Sequence, residues 1–338
     1  MMVKTLEEIA SYIVAEGKGI LAADESTGTI KKRFDSINVE STEDNRRDYR
    51  EMLFRASSMS EAIGGVILFD ETLRQSSANG DLLREVISNQ KSLPGIKVDQ
   101  GVSPFNGSDK ETITKGLDGL DERCQEYDTL GARFTKWRAV ITISGNDIPT
   151  DECIDQNMES LADYALIAQK NNMVPIVEPE VIMDGDHSID RCFDVSKKTL
   201  SKLYDFLDKK NVNIRGTLLK PNMVVSGTAN AVQAPIEEVA EKTLECLKSS
   251  ISNDTPGVVF LSGGQSDIDA TAHLDAMNKI GGFPWKLSFS YGRALQQAAL
   301  KSWQGKPENT IAAQEAFNHR AIMNKKAALG EWSMSLEK

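Results

Sequence analysis

The sequence predicts an α/β protein folded as a (β/α)8 TIM-type barrel, and three observations carry that expectation. Short apolar, β-branched runs recur along the 338 residues, segments of helical period separate most of them, and the runs end in polar, charged or Gly-rich residues. Eight runs are present: Gly19–Asp24, Gly65–Asp70, Gly95–Asp99, Phe134–Ile141, Val174–Glu180, Thr217–Asn222, Val258–Gly263 and Leu287–Gly292. Continuous apolar strands alternating with helices imply a parallel sheet covered by helices. Eight such units favour a closed barrel over an open doubly wound sheet. No Gly-x-Gly-x-x-Gly follows the first run, which weakens a dinucleotide-binding alternative.

Thr5-Leu-Glu-Glu8 reads as a capping box, so residues 1–16 are expected to form an extra helix ahead of the barrel. Gly131 stands where a helix should stop before the fourth run. Between the fourth and fifth runs, Met158, Leu161, Ala162 and Ala165 make one apolar helical stripe. Pro235 sits at a helix start, ahead of Ile236, Val239 and Leu244. Ser266-Asp-Ile-Asp269 opens a helix after the seventh run, and residues 294–338 read as extra helices ending near Gly330.

A chain of 338 residues is long enough for two domains, but no linker, charge block or low-complexity tract divides it, so a single domain over 1–338 is expected. The longest apolar runs fall well short of the ~20 residues of a membrane helix. The start, Met1-Met-Val-Lys-Thr-Leu-Glu-Glu8, is polar and acidic rather than a targeting peptide, so a cytoplasmic protein is expected. The net charge of -11 and pI near 5.0 argue against nucleic acid or anionic membrane as partners, though not against a local cationic pocket. Cys124, Cys153, Cys192 and Cys246 lack Cys-x-x-Cys spacing and read as reduced thiols. His187, His273 and His319 are too scattered to suggest a metal site.

Barrel enzymes place their chemistry at the C-terminal ends of the strands. Six of the runs carry ionisable groups there: Asp24, Asp70, Lys97 with Asp99, Lys136 with Arg138, Glu178 with Glu180, and Lys220. Residues two apart on a strand share a face, so Lys136 goes with Arg138 and Glu178 with Glu180, while Trp137 and Pro179 face the other way. Charges this dense, converging from six strands, point to a functional pocket more than to structural ion pairs. An ammonium becomes a nucleophile toward a carbonyl when desolvation or a neighbouring cation favours its neutral form. Lys220 emerges from the apolar Leu218-Leu219, and Lys136 supplies a neighbouring charge. The residues alone leave open which of the two is the nucleophile.

Leu261-Ser-Gly-Gly-Gln265 and Ser290-Tyr-Gly-Arg293 close the last two runs and open helices. Glycines that expose backbone N–H groups at a helix N-terminus form a phosphate cradle in this position of a barrel, and Arg293 adds a bidentate contact. Lys32, Arg33 and Lys97, beside Ser26 and Thr29, suggest a second phosphate position.

At these residues the chain resembles class I fructose-bisphosphate aldolase. The motifs are Leu21–Gly28, Gly64–Phe69, Phe134–Arg138, Val177–Glu180, Leu218–Met223, Phe260–Gln265 and Phe289–Leu295, in the family's order and spacing from about residue 6 to about 330. The resemblance implies a homotetrameric barrel that reversibly cleaves fructose 1,6-bisphosphate into dihydroxyacetone phosphate and glyceraldehyde 3-phosphate, with no metal and no cofactor. It implies Lys220 as the Schiff-base lysine and Glu178 as the general acid/base that dehydrates the carbinolamine. Asp24, Lys136 and Glu180 assist proton transfer and orient the lysine and the sugar hydroxyls, with Arg138 in the same wall. Ser262, Gly263, Gly264, Ser290, Gly292 and Arg293 match the site of the 1-phosphate. Ser26, Thr29, Arg33 and Lys97 match the surroundings of the 6-phosphate, with Arg46 as a neighbour.

As a family these enzymes also bind filamentous actin and acidic peptides, which implies the same for this pocket. Three departures stand out. Thr29 replaces a usual serine and keeps the hydroxyl, Gln100 stands where lysine is common, and no tyrosine follows Tyr291, where members usually carry a tail ending in tyrosine. Protonation of the enamine is therefore expected to fall to other groups or to lie outside this sequence. A transaldolase-like Schiff-base enzyme predicts one phosphate position rather than two. A metal-dependent aldolase would need several imidazoles in the pocket, and only His187 falls in a strand-to-helix loop. A protein-binding scaffold would bind its partner in competition with substrate.

Overall fold

Inside the closed barrel the inward faces of the strands change character along the barrel axis. In the computed structural model, which describes residues 5–338, Ile20, Ile67, Phe134, Val174, Ile176, Leu218 and Val259 fill the lower interior. Their period-two partners Asp24, Lys136, Glu178 and Lys220 stand above them at the C-terminal ends. Phe134 fits only because two neighbours lack side chains: a Cβ on Gly65 or Gly95 would lie 2.8 or 2.3 Å from its ring.

Helix α1 (Leu6–Ile13) opens with the expected capping box, Thr5 and Glu8 bonding reciprocally. Its Ile9, Ala10 and Ile13 join the interior cluster and close the barrel's lower end. Strand β1 (Gly19–Ala23) leads to α2 (Thr27–Asp35), α3 (Glu43–Phe54) and α4 (Met59–Ala62). Then come β2 (Ile63–Leu68), α5 (Asp70–Arg74), α6 (Leu83–Asn89) and β3 (Leu93–Lys97). A small antiparallel pair follows, β4 (Val102–Pro104) with β5 (Thr112–Thr114), which the sequence pattern did not suggest because each strand is only 3 residues long. The chain continues through α7 (Leu120–Thr129), β6 (Phe134–Ile141), α8 (Asp151–Lys170), β7 (Val174–Val181), α9 (Ile189–Lys209) and β8 (Leu218–Leu219). The last units are α10 (Ile236–Ser250), β9 (Gly257–Phe260), α11 (Asp267–Ile280), β10 (Lys286–Tyr291) and α12 (Arg293–Trp303), followed by α13 (Thr310–Ala328).

The closed sheet runs β1-β10-β9-β8-β7-β6-β3-β2, parallel throughout. Helix α12 directly follows the last barrel strand as the helix of its unit, so α13 is the long addition at the C-terminal side. The outer core, between strands and helices, holds the out-facing residues, including Trp137, Val177 and Leu219. All four cysteines are buried free thiols. Among the described residues no helix is long and apolar enough to cross a membrane.

Candidate active site

An open cleft of about 1140 Å³ lies at the C-terminal ends of the strands, and it gathers residues that sequence places up to 271 positions apart. Asp24, Ser26, Thr29, Arg33, Lys97, Lys136, Arg138, Glu178, Glu180, Lys220, Ser262, Gly263, Ser290, Gly292 and Arg293 all line it. Register explains the wall from β6 and β7: Arg138 lies opposite Glu178, and Val140 opposite Glu180, on a paired parallel ladder.

The centre of the cleft is a chain of ion pairs. Lys136 Nζ lies 2.7 Å from Asp24 Oδ2, 3.2 Å from Glu178 Oε2 and 3.9 Å from Asp99 Oδ2. Lys220 Nζ lies 3.0 Å from Glu178 Oε1. Glu178 thus bridges the two lysines, one oxygen to each. Its Oε2 is near Lys136 without hydrogen-bond geometry, which leaves that buried oxygen with acceptor capacity to spare. Lys136, Glu178 and Lys220 are all buried, with 3–4 % of their surfaces exposed.

Burial works against every charge here, so the balance decides each one. Burial opposes the Lys136 charge, but Asp24, Glu178 and Asp99 outweigh it and hold the ammonium well above the ordinary lysine range. Burial opposes ionisation of Asp24, but Lys136, Lys220 and Lys97 hold its carboxyl well below the usual carboxylate range. Glu178 is lowered in the same way, by Lys136, Lys220 and Arg138 against burial and Asp24. The depressed carboxylates stabilise the fold above the ordinary carboxylate pKa and lose that contribution as pH falls through their folded values. The raised Lys136 stabilises below the ordinary lysine pKa and loses its contribution as pH rises through its folded value. Asp24, Glu178 and Lys136 therefore stay ionised across the neutral range. Buried ion pairs are weak contributors to net stability but frequent marks of a functional site.

Two groups of polar and cationic residues flank this centre. Ser290 is 1 % exposed and its Oγ has no hydrogen-bond partner, so it stands free to bond a ligand in the cleft. Arg293, exposed at the start of α12, donates from Nη2 to the carbonyls of Gly263 at 3.0 Å and Gln265 at 2.9 Å. It ties the loop after β9 to the loop after β10. On the other side Ser26 caps α2, accepting from the Thr29 N–H. Lys97 Nζ holds the Asp99 carboxylate at 2.6 Å. Arg33 pairs with Glu25 at 2.5 Å, and its Nη2 lies 3.4 Å from where a Cβ on Gly292 would sit. The two residue sets that the sequence suggests for two phosphates therefore adjoin at Arg33 and Gly292.

Three of the expected residues do not line the cleft, the first being Lys32, which stays exposed on α2 outside it. Arg46 points away because Glu71 takes it, Nη2 to Oε2 at 2.5 Å and Nε to Oε1 at 2.9 Å, while Nη1 donates to the Ser41 carbonyl. Gly264 turns its N–H onto the Met183 thioether. Conversely, Asp99 is a central member that the strand-end pattern flagged without a role: it touches both Lys97 and Lys136. Glu25 had no sequence signal beyond its place next to Asp24. It is buried, and Gln296 donates to it at 2.9 Å while Arg50 donates to its carbonyl at 2.8 Å. Among the described residues no cluster of three or more His, Cys, Asp or Glu is arranged to hold a metal ion.

A family model described as fructose-bisphosphate aldolase class-I matches residues 5–338. The chain is 52% identical over 333 residues to a probable fructose-bisphosphate aldolase class 1 of Xanthomonas campestris pv. campestris, covering 98% of this chain and 99% of that one. It is 51% identical to fructose-bisphosphate aldolase B of Ovis aries, covering 97% of this chain and 91% of the relative. A solved fructose-bisphosphate aldolase of Plasmodium falciparum, in complex with TRAP and a small-molecule inhibitor, superposes with a TM-score of 0.96 at 46% identity, covering 97% and 95% of the two chains.

Proposed function

As a member of the class I fructose-bisphosphate aldolase family, this chain is a metal-independent lyase that cleaves fructose 1,6-bisphosphate reversibly through a lysine Schiff base, and we propose that Lys220 is that lysine. The observation that supports this is the 3.0 Å contact of Lys220 Nζ with Glu178 Oε1 inside the buried cluster. A proton passed along that contact makes the neutral amine and the protonated carboxyl in one step. The amine then forms the N–C2 bond with the substrate ketone, and Glu178 returns the proton to the C2 hydroxyl, which leaves as water. As the lysine charge leaves Glu178, its carboxyl holds a proton more readily, so nucleophile and general acid are coupled.

The resulting iminium accepts the electron pair of the C3–C4 bond. One of the two carboxylates facing the cleft, Asp24 or Glu178, takes the C4 hydroxyl proton, and glyceraldehyde 3-phosphate leaves. The enamine is protonated at C3 and hydrolysed to dihydroxyacetone phosphate. Lys136, kept protonated by its three carboxylates, supplies the fixed positive charge beside the reacting nitrogen. Glu180, paired with Arg138, orients the sugar hydroxyls. Borohydride with dihydroxyacetone phosphate is expected to attach a three-carbon unit to Lys220, read by peptide mapping. A label on Lys136 would overturn the assignment.

Ser262, Gly263, Gly264, Ser290, Gly292 and Arg293 hold one phosphate, the Gly264 N–H once it leaves Met183, and Ser26, Thr29, Arg33 and Lys97 the other. Arg293→Ala is expected to weaken bisphosphate binding by roughly ten- to a hundred-fold, the loss of a charge-assisted contact of about 1.5–3 kcal/mol. Binding of an unphosphorylated ketose should change far less. An equal loss for both ligands would mean a folding defect instead. The chain acts in the cytoplasm as a single barrel domain within a homotetramer, and its cationic cleft also accepts acidic peptide segments or actin, in competition with substrate.

A further inference from the structure

Met183 lies on the loop after β7 and reaches the loop after β9. Gly264 donates its N–H to the Met183 thioether, and a Cβ on either Gly263 or Gly264 would come within 3.0 Å of Met183 Sδ. The two glycines present bare backbone, and this sulfur covers it. The Met183 backbone is fixed, since its carbonyl accepts the Thr228 N–H at 2.8 Å. The next residues are held likewise, Ala229 donating to Gly185 and Gly227 to His187, each at 2.8 Å. Only the side chain is free to move, and it is half-buried, unbranched and flexible.

We propose that Met183 is a positioning residue of the phosphate loop and a site of oxidative modification, its thioether holding the Gly264 amide that a substrate phosphate takes over. This rests on residues 262–264 being a phosphate loop. A thioether is a weak acceptor and a phosphate oxygen a strong, charge-assisted one, so substrate displaces the sulfur. Hydrogen peroxide changes the balance. The sulfur lone pair forms an S–O bond as the peroxide O–O bond breaks, giving the sulfoxide and water. The sulfoxide is polar, and its oxygen competes with phosphate for the same amide. The thiols are poor competitors for peroxide: burial pushes Cys124, Cys153 and Cys246 up to about 12 and raises Cys192 as well.

The test treats the full chain with hydrogen peroxide, maps oxidised peptides, and measures fructose 1,6-bisphosphate cleavage. Oxidation at Met183 should raise KM about tenfold with kcat within about twofold, the loss of one charge-assisted contact made by substrate before and during reaction. Methionine sulfoxide reductase should restore KM. Met183→Leu, similar in size and without the sulfur, should keep its KM through the same treatment. An equal rise in Met183→Leu, complete oxidation of Met183 with unchanged KM, or a loss confined to kcat would each overturn the proposal. Arg293→Ala separates this from the phosphate assignment itself. If only the Met183 role is wrong, that variant still weakens bisphosphate binding, and if the loop holds no phosphate, it does not.

Discussion

Lys220→Ala is expected to lose on the order of 10⁵- to 10⁶-fold in kcat and to form no borohydride-trapped adduct, because the neighbouring amine, Lys136, is held charged by Asp24, Glu178 and Asp99. Lys136→Ala makes the contrast. It keeps the nucleophile but removes the ammonium that touches Asp24 at 2.7 Å and Glu178 at 3.2 Å. Without that charge no fixed cation stands beside the amine to favour its nucleophilic form. The adduct should therefore form slowly near pH 7 and faster as pH rises. Removing a buried cation among three carboxylates also destabilises the fold, so near-UV circular dichroism must show native packing before the rates are compared. Adduct formation in Lys220→Ala, or a Lys136→Ala rate that does not change with pH, would contradict the division of roles.

Glu178→Gln should cost about 10²- to 10⁴-fold in kcat, the usual range for a general acid/base. The amide keeps the shape between Lys136 and Lys220 but neither takes the ammonium proton nor returns one to the C2 hydroxyl. Dihydroxyacetone phosphate should still bind, because the phosphate loops are untouched, while the carbinolamine fails to dehydrate. Borohydride reduces the iminium and not the carbinolamine, so trapping should fall in proportion to kcat. Near-normal trapping with slow turnover would move the dehydration proton to another group, with Glu180 and Asp24 the carboxylates left in the cleft.

Lys97 and Lys136 illustrate what local sequence carries. Lys97 ends β3 and Lys136 lies within β6, and the two-residue period sets which neighbours share a face, so Lys136 with Arg138 and Glu178 with Glu180 were legible before any coordinates. The strand count and the position of the charges at the C-terminal ends come from the same periodicity. The hairpin β4–β5 escaped because two strands of 3 residues carry too little alternation to stand out. The choice of Lys220 over Lys136 came from the resemblance alone; in the fold Lys136 is surrounded by carboxylates, while among the ion pairs of the described residues Lys220 meets only Glu178.

By itself the sequence determined the barrel, the inward set of charges and the two Gly-rich loops, because strand periodicity and turn chemistry act over a few residues. Only the tertiary structure decided the partners. It turned Arg46 onto Glu71, linked Asp99 to both Lys97 and Lys136, laid Arg33 over Gly292 and put the Met183 sulfur on the Gly264 amide. Those contacts join residues on different strands and loops, and Coulomb energies and hydrogen bonds depend on distances of a few ångströms that exist only once the sheet has closed.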